Sequence, residues 1–436
     1  MTRLPIRLWC LILTSVAIGA RALIATAQST PTPYKMIDGH FAATVTLLAD
    51  GEVLIAGGGD AHASAVDIAE IYDPRTDSFR PAGNGLMTTP RTDHAASLLM
   101  DGRVLIAGGM NRMGKPLSSA ELFDPKTGKF VLTAEMAEAR YLATATLLPD
   151  GRVLIAGGAS TAEGSGGPDQ ERREVESLDT AELYNPMTGT FAPAGKAERV
   201  FDLTSGKFLM HASMNAARRE QTATLLTTGP LKGRVLLVGG IGAKNKPIAA
   251  AELYNPASNR FTPTGAMMVE RAYQTATELR DGRVLIAGGT DATNQSLATA
   301  ELYDQATGKF ALTAAPMEHA RYQQTATLLN DGRVLLAGGA NNAGVLSYAE
   351  IFDPGSGRFL PAALMKDYRM AAGGVLLHNG CVFIAGGYNT RPSFSPGAAM
   401  GLGIAAVPFR VLDTAEIYNP ANGQFVDTRD LGRAAG

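Results

Sequence analysis

The chain has 436 residues, with 39 Lys and Arg against 41 Asp and Glu, so its net charge of −2 offers no global field for nucleic acid or an anionic membrane surface. Forty-nine glycines, 23 prolines and only 6% aromatic residues favour many short strands joined by tight turns over a few long helices. Two cysteines, Cys10 and Cys381, exclude a disulfide framework and a cysteine-built zinc site.

The first element is a leader. Arg3 and Arg7 precede an apolar stretch, Leu8 to Ala20, as long as a signal-peptide core and too short to span a bilayer. Ala25-Thr-Ala27 places small residues where a signal peptidase reads them, so residues 1–27 are expected to be removed, with Ala20-Arg-Ala22 as the second choice of site. Cys10 leaves with this segment, and Arg7-Leu8-Trp9 before it forms no lipobox. Loss of Arg3, Arg7 and Arg21 leaves 36 basic residues against 41 acidic ones. Residues 28–33 then serve as a linker, and no later apolar run reaches membrane-spanning length. The expectation is an exported monomer, periplasmic or extracellular, with one thiol at Cys381.

Beyond the linker, one unit repeats seven times. A glycine pair closes an apolar run at Gly57-Gly58, Gly108-Gly109, Gly157-Gly158, Gly239-Gly240, Gly288-Gly289, Gly338-Gly339 and Gly386-Gly387, at intervals of 51, 49, 82, 49, 50 and 48. After each pair comes Ala-Glu-[Leu/Ile]-[Tyr/Phe], with its aromatic at Tyr72, Phe123, Tyr184, Tyr254, Tyr303, Phe352 and Tyr418. Seven residues further on stands a phenylalanine: Phe79, Phe130, Phe191, Phe261, Phe310, Phe359 and Phe425. The unit reads as four strands. Strand a (as in Thr325–Leu329) turns through Asn330-Asp331-Gly332 into strand b (Arg333–Ala337), because Asp-Gly suits the positive φ of a tight hairpin. Strand c (as in Ala120–Phe123) turns through Asp124-Pro125-Lys126-Thr127-Gly128 into strand d. One such unit cannot bury both faces of its sheet, whereas seven around an axis can, which predicts an all-β, seven-bladed propeller over residues 34–431.

The double glycine, the paired aromatics and the Asp-Pro-x-Thr-Gly turn resemble the kelch repeat, in a bacterial form similar to the propeller domain of galactose oxidase. The tryptophan of that repeat is phenylalanine in every copy here. Three insertions interrupt the pattern. Residues 159–178 and 388–413 are long b–c loops, and 195–213 contains Phe201 and Phe208 at the same seven-residue spacing, a second copy of the c–d hairpin without its own a–b pair.

One further regularity marks a candidate site. Seven residues ahead of the Leu-Leu pair of strand a, or its equivalent, stands Arg91, Arg140, Arg218, Arg271, Arg321 or Arg369, with His40 in the first unit. The start of a, the end of b and the start of c share one face, and the resemblance puts strand a innermost, so these cations are expected around the mouth of the central channel. Tyr141, Tyr273 and Tyr322 follow three of them and can stack on a sugar or peptide. His40, Arg91, Arg140, Tyr141, Arg218, Arg271, Tyr273, Arg321 and Tyr322 are therefore the candidate ligand contacts, while Arg369, followed by Met370-Ala-Ala-Gly-Gly, reads as structural. A competing reading is equally physical: Glu70, Glu121, Glu182, Glu252, Glu301, Glu350 and Glu416 open strand c on the same face, and each can clamp its blade's cation.

No nucleophile elbow, phosphate loop or His-Glu-x-x-His motif is present. The copper chemistry that the resemblance implies needs paired tyrosines and histidines with a cross-linked cysteine, and His40, His62, His94, His211, His319 and His378 are scattered one to a segment. The expectation is a propeller without cofactor that binds a protein segment or glycan at the channel mouth, gated by the loops 159–178 and 388–413. The alternative is a carbohydrate-active enzyme similar to sialic acid mutarotases, or a degenerate galactose oxidase-like protein.

Overall fold

The computed structural model describes residues 35–161, 175–195, 197–202, 207–389 and 410–428. The leader and linker expected over 1–33, and most of the loops 159–178 and 388–413, lie outside these residues.

The described residues form seven four-stranded antiparallel sheets, each built from one contiguous stretch of chain in the order a-b-c-d. Blade 5 is representative: Thr275–Glu278 (a), Val284–Ala287 (b), Ala300–Asp304 (c) and Lys309–Leu312 (d). The a strands contact one another in ring order, and that of blade 7 (Gly373–Leu376) meets that of blade 1 (Thr44–Leu47), which closes the propeller. Every b strand is buried along its whole length, since both faces of each sheet pack on neighbouring blades.

The seven-residue aromatic spacing has a simple cause. The c–d turn brings each pair directly opposite across the hairpin, as in Tyr303 with Phe310, and the ring centroids lie 4.7–5.0 Å apart in all seven blades.

The glycine pairs make the joints between blades. A Cβ on the first glycine of Gly57-Gly58 would lie 2.6 Å from the Arg91 carbonyl of the next blade, and at Gly288 the corresponding distance, to the Arg321 carbonyl, is 2.3 Å. The second glycine donates its N–H to that same carbonyl at 2.7–2.9 Å in every joint, Gly387 to His40 included. Both glycines have positive φ in all seven pairs, so backbone crowding and conformation alike exclude a side chain. A methionine, itself a constant of the repeat, seals the same place. Met36, Met87, Met136, Met214, Met267, Met317 and Met365 each stand four residues before the cation and are buried.

The duplicated hairpin is confirmed in its backbone. Ala197–Asp202 pairs with Lys207–Ala212, with Phe201 opposite Phe208, and forms a two-stranded sheet of its own outside the blade 3 sheet. Short ribbons on the b–c loops, Ala159–Thr161 with Val175–Ser177 and Tyr388–Asn389 with Arg410–Val411, stand on the face where strands a begin.

Candidate functional site at the channel mouth

The six arginines are not surface groups. Arg91, Arg140, Arg218, Arg271, Arg321 and Arg369 are 0–1% exposed, and each spans its own blade. Arg271 is typical: Nη1 donates to Gly288 O at 2.8 Å and Thr299 O at 2.9 Å, and Nη2 reaches Glu301 Oε1 at 2.8 Å. The same contacts recur with Glu121, Glu182, Glu252, Glu350 and Glu416 at 2.6–3.1 Å. The second oxygen of each glutamate accepts a backbone N–H from the residue after the buried methionine, at 2.7–2.8 Å. His40 does the same work in blade 1, with Nδ1 2.8 Å from Gly57 O and Nε2 3.1 Å from Glu70 Oε1. Burial pulls Arg91, Arg218, Arg271 and Arg321 below the ordinary guanidinium value, and their glutamates oppose it. The repeated cations are thus occupied as clamps tying strand a to the start of strand c.

The mouth itself is built two residues further along. Ala42, Asp93, Leu142, Glu220, Tyr273, Gln323 and Ala371 stand at equivalent positions in the seven blades, and all have φ between 51° and 60°. Their backbones link into a chain around the axis: Leu142 N donates to Asp93 O at 2.9 Å, Glu220 N to Leu142 O at 3.4 Å, Tyr273 N to Glu220 O at 3.4 Å, Gln323 N to Tyr273 O at 3.1 Å, Ala371 N to Gln323 O at 3.2 Å and Ala42 N to Ala371 O at 3.3 Å. A left-handed non-glycine residue costs on the order of 1 kcal/mol, and only a surrounding structure this regular holds seven of them.

Side chains divide this mouth into two halves. Blades 5 to 7 and blade 1 supply an aromatic wall: Tyr273 and Tyr322 have centroids 6.3 Å apart, Phe41 and Tyr388 5.4 Å, and Tyr322 packs with Ala340, Val345 and Met370. Blades 2 to 4 supply Asp93, Tyr141, Arg219 and Glu220. Burial first, and the Asp93 charge second, pushes the Glu220 carboxyl up to about 8, against the pull of Arg219. Burial likewise pushes Asp93 up to about 6, opposed by the Thr92 hydroxyl. Both carboxyls are thus displaced upward, Glu220 further than Asp93. Burial also raises the phenols of Tyr141, Tyr273, Tyr322 and Tyr388, and Tyr141, Tyr273 and Tyr388 feel both carboxylates.

Of the candidate contacts, Tyr141, Tyr273 and Tyr322 do stand at the mouth, while His40, Arg91, Arg140, Arg218, Arg271 and Arg321 lie beneath it in their clamps. Asp93, Arg219, Glu220 and Tyr388 were missed. The only signal for them was position: they occupy slots next to the clamp, or just after a glycine pair, at which the blades differ from one another.

Among the described residues no three or more His, Cys, Asp or Glu side chains converge to hold a metal ion. His40 is locked to Glu70 and Gly57, His94 shares a hydrogen bond with Thr44 at 3.0 Å, and burial, with the Arg91 charge, draws His94 down to about 3. The described residues do not fit a copper centre of histidine and tyrosine.

Residues 91–137 match the Kelch motif family. Two solved structures share the fold: a fungal alcohol oxidase of the AA5 family in complex with copper, 16% identical over 80% of this chain and 70% of that one with a TM-score of 0.56, and YjhT, 12% identical over 78% of this chain and 98% of that one with a TM-score of 0.55. No curated protein matches the chain at the level of sequence.

Proposed function

Starting from the chain as a seven-bladed propeller of kelch-type repeats, we propose that it is an exported, non-catalytic binding protein whose ligand, a sugar unit of a glycan, sits in the channel mouth. The observation that carries this reading is the convergence, at one rim, of aromatic rings with polar groups that make no side-chain hydrogen bond to their neighbours. No side-chain hydrogen bond joins the hydroxyls of Tyr141, Tyr273 and Tyr322, or the half-buried Glu220 carboxyl, to another described residue, while the backbones beside them are bonded around the axis. Buried polar groups are ordinarily paired, and groups left open on a concave face are paired by ligand or water. Tyrosine faces stack on the apolar face of a pyranose, and carboxyls and phenols bond its hydroxyls. Export is supported by the leader-like residues 1–27.

The test is retention on a glycan-and-peptide array of the purified chain beside Tyr273→Ala and Glu220→Gln variants that keep the far-UV circular dichroism of the parent. Selective glycan retention that both variants lose supports the reading. Retention of peptides alone overturns the glycan assignment, and retention indifferent to both substitutions overturns the site.

A second reading has its own observation. Two half-buried carboxyls, brought to one rim by the backbone bonds Leu142 N to Asp93 O and Glu220 N to Leu142 O, are the kind of pair acid–base catalysis uses. In that case Glu220 donates a proton to a sugar oxygen and Asp93 accepts one. Turnover of reducing sugars followed by polarimetry, absent in Glu220→Gln, separates the enzyme from the binder.

A further inference from the structure

We propose that the ligand of this mouth carries a cationic nitrogen, a primary to quaternary ammonium, seated against Asp93 and Glu220 with its substituents on the rings of Tyr141 and Tyr273. This rests on the mouth being a ligand site, and adds the chemical class of what enters it.

The charges argue for it. The carboxylates buried in the blades are matched: seven glutamates have an arginine or histidine, and each is held by a backbone N–H as well. Asp93 and Glu220, half-buried at the rim, have no such match. Among the described residues neither has a cation within ion-pair distance, and the hydrogen bonding of the Asp93 carboxylate amounts to the Thr92 hydroxyl at 3.4 Å. Arg219, nearby, is turned to other partners, with Nη1 2.6 Å from Ser177 Oγ and 3.0 Å from Asn245 Oδ1. Two acids in one partly desolvated site without a counter-charge relieve their repulsion by retaining a proton, and a ligand cation can take that proton's place.

The phenols supply an independent observation. Tyr141 and Tyr322 are 8% and 6% exposed, their hydroxyls make no hydrogen bond to another described residue, and Tyr141 adjoins Leu142, whose N–H is bonded to Asp93 O and whose carbonyl takes the Glu220 N–H. Electron-rich ring faces beside carboxylates are the usual surroundings of a bound ammonium, since the ring quadrupole attracts the cation while the acids neutralise it. A neutral sugar makes the same hydrogen bonds but leaves the acids uncompensated, and an anion meets them head on. The upward displacement of both carboxyls fits the same account: an arriving cation lowers them, so binding expels a proton.

The experiment is isothermal titration of the full chain with choline, glucosamine and glucose near pH 6.5, where a primary amine is charged. It is repeated in two buffers of different ionisation enthalpy, and with an Asp93→Asn/Glu220→Gln double variant of unchanged melting temperature. The expected result is roughly tenfold tighter binding of glucosamine than of glucose, measurable choline binding, proton release seen as a buffer-dependent heat, and a preference cut to about twofold in the double variant. Choline affinity should also rise between about pH 6 and 9 in the parent as the acids ionise, opposite Arg219 and the high-lying tyrosines, and stay flat in the double variant. Equal binding of glucose and glucosamine overturns the cation proposal and leaves the sugar reading standing. Choline binding without either sugar keeps the cation and overturns the sugar. Failure of all three to bind overturns both.

Discussion

Replacing Arg271 by methionine tests the clamp where every contact is defined. The side chain keeps most of its volume, but Glu301, fully buried, loses the guanidinium at 2.8 Å and keeps only the N–H groups of Met268 and Val269, while Gly288 O and Thr299 O each lose a donor at 2.8 and 2.9 Å. Removing one partner of a buried ion pair costs roughly 3–5 kcal/mol, because an uncompensated charge stays behind. A loss of about 4 kcal/mol is expected in urea unfolding followed by circular dichroism. Arg283→Met is the control. Its partner Asp281 lies 2.6 Å away, but the two side chains are 34% and 45% exposed, and such a pair is worth at most about 1 kcal/mol. Combining Arg271→Met with Glu301→Leu removes the orphaned charge as well, and should recover about half of the loss, the remainder belonging to the two carbonyls. If Arg271→Met proves no more costly than Arg283→Met, the guanidinium is not a clamp and the assignment of the repeated cations falls.

Three further outcomes can be measured on the same purified chain. Gly288→Ala places a Cβ 2.3 Å from the Arg321 carbonyl at a φ of +68°, and should destabilise far more than Gly102→Ala, whose Cβ meets nothing within 4 Å at a φ of +88°; the difference between their urea midpoints isolates joint crowding from backbone strain. Glu220 is raised in the folded state to about 8 from its ordinary 4.5, so its neutral form is favoured by folding: stability from this group is full below about pH 4.5 and lost as pH rises toward 8. Glu220→Gln should abolish that decline, and a parent whose stability is flat over this window contradicts the burial argument. Phe310→Ala, which empties a buried position packed on Tyr303 at 4.9 Å, should cost about 3–5 kcal/mol in the same assay.

The fold is readable because each blade must solve the same packing problem, so the solution is written seven times. Paired glycines mark the joint where two backbones touch, and tyrosine with phenylalanine seven residues on marks one hairpin. The arginine and the glutamate that opens strand c are both visible, and their pairing is one of two physical readings; what decides between them is depth, which a sequence does not display. The mouth is harder for the opposite reason. Comparing repeats brings out what is constant, and Asp93, Leu142, Glu220, Tyr273, Gln323 and the alanines at 42 and 371 share a backbone conformation but no side-chain character. A search for regularity therefore draws attention to the clamps and past the ring of variable residues two positions away. Tyr141 and Tyr322 stand out because they are large and adjacent to an arginine, whereas Asp93 and Glu220 are single acids in a charged chain and carry no mark. The methionines four residues before each cation form an equally constant column.

One consequence of the joints concerns where the circle starts. Gly386 and Gly387 meet His40 as Gly288 and Gly289 meet Arg321, with the same carbonyl, the same N–H and no strand borrowed from the other end of the chain. The seam is chemically like the six internal junctions, so the ring has no privileged opening. Joining residue 428 to residue 35 by a short flexible tether and cutting between any two blades should give a rotated chain of the same shape. The asymmetry that matters, acids on one arc and rings on the other, would travel with the side chains and not with the ends.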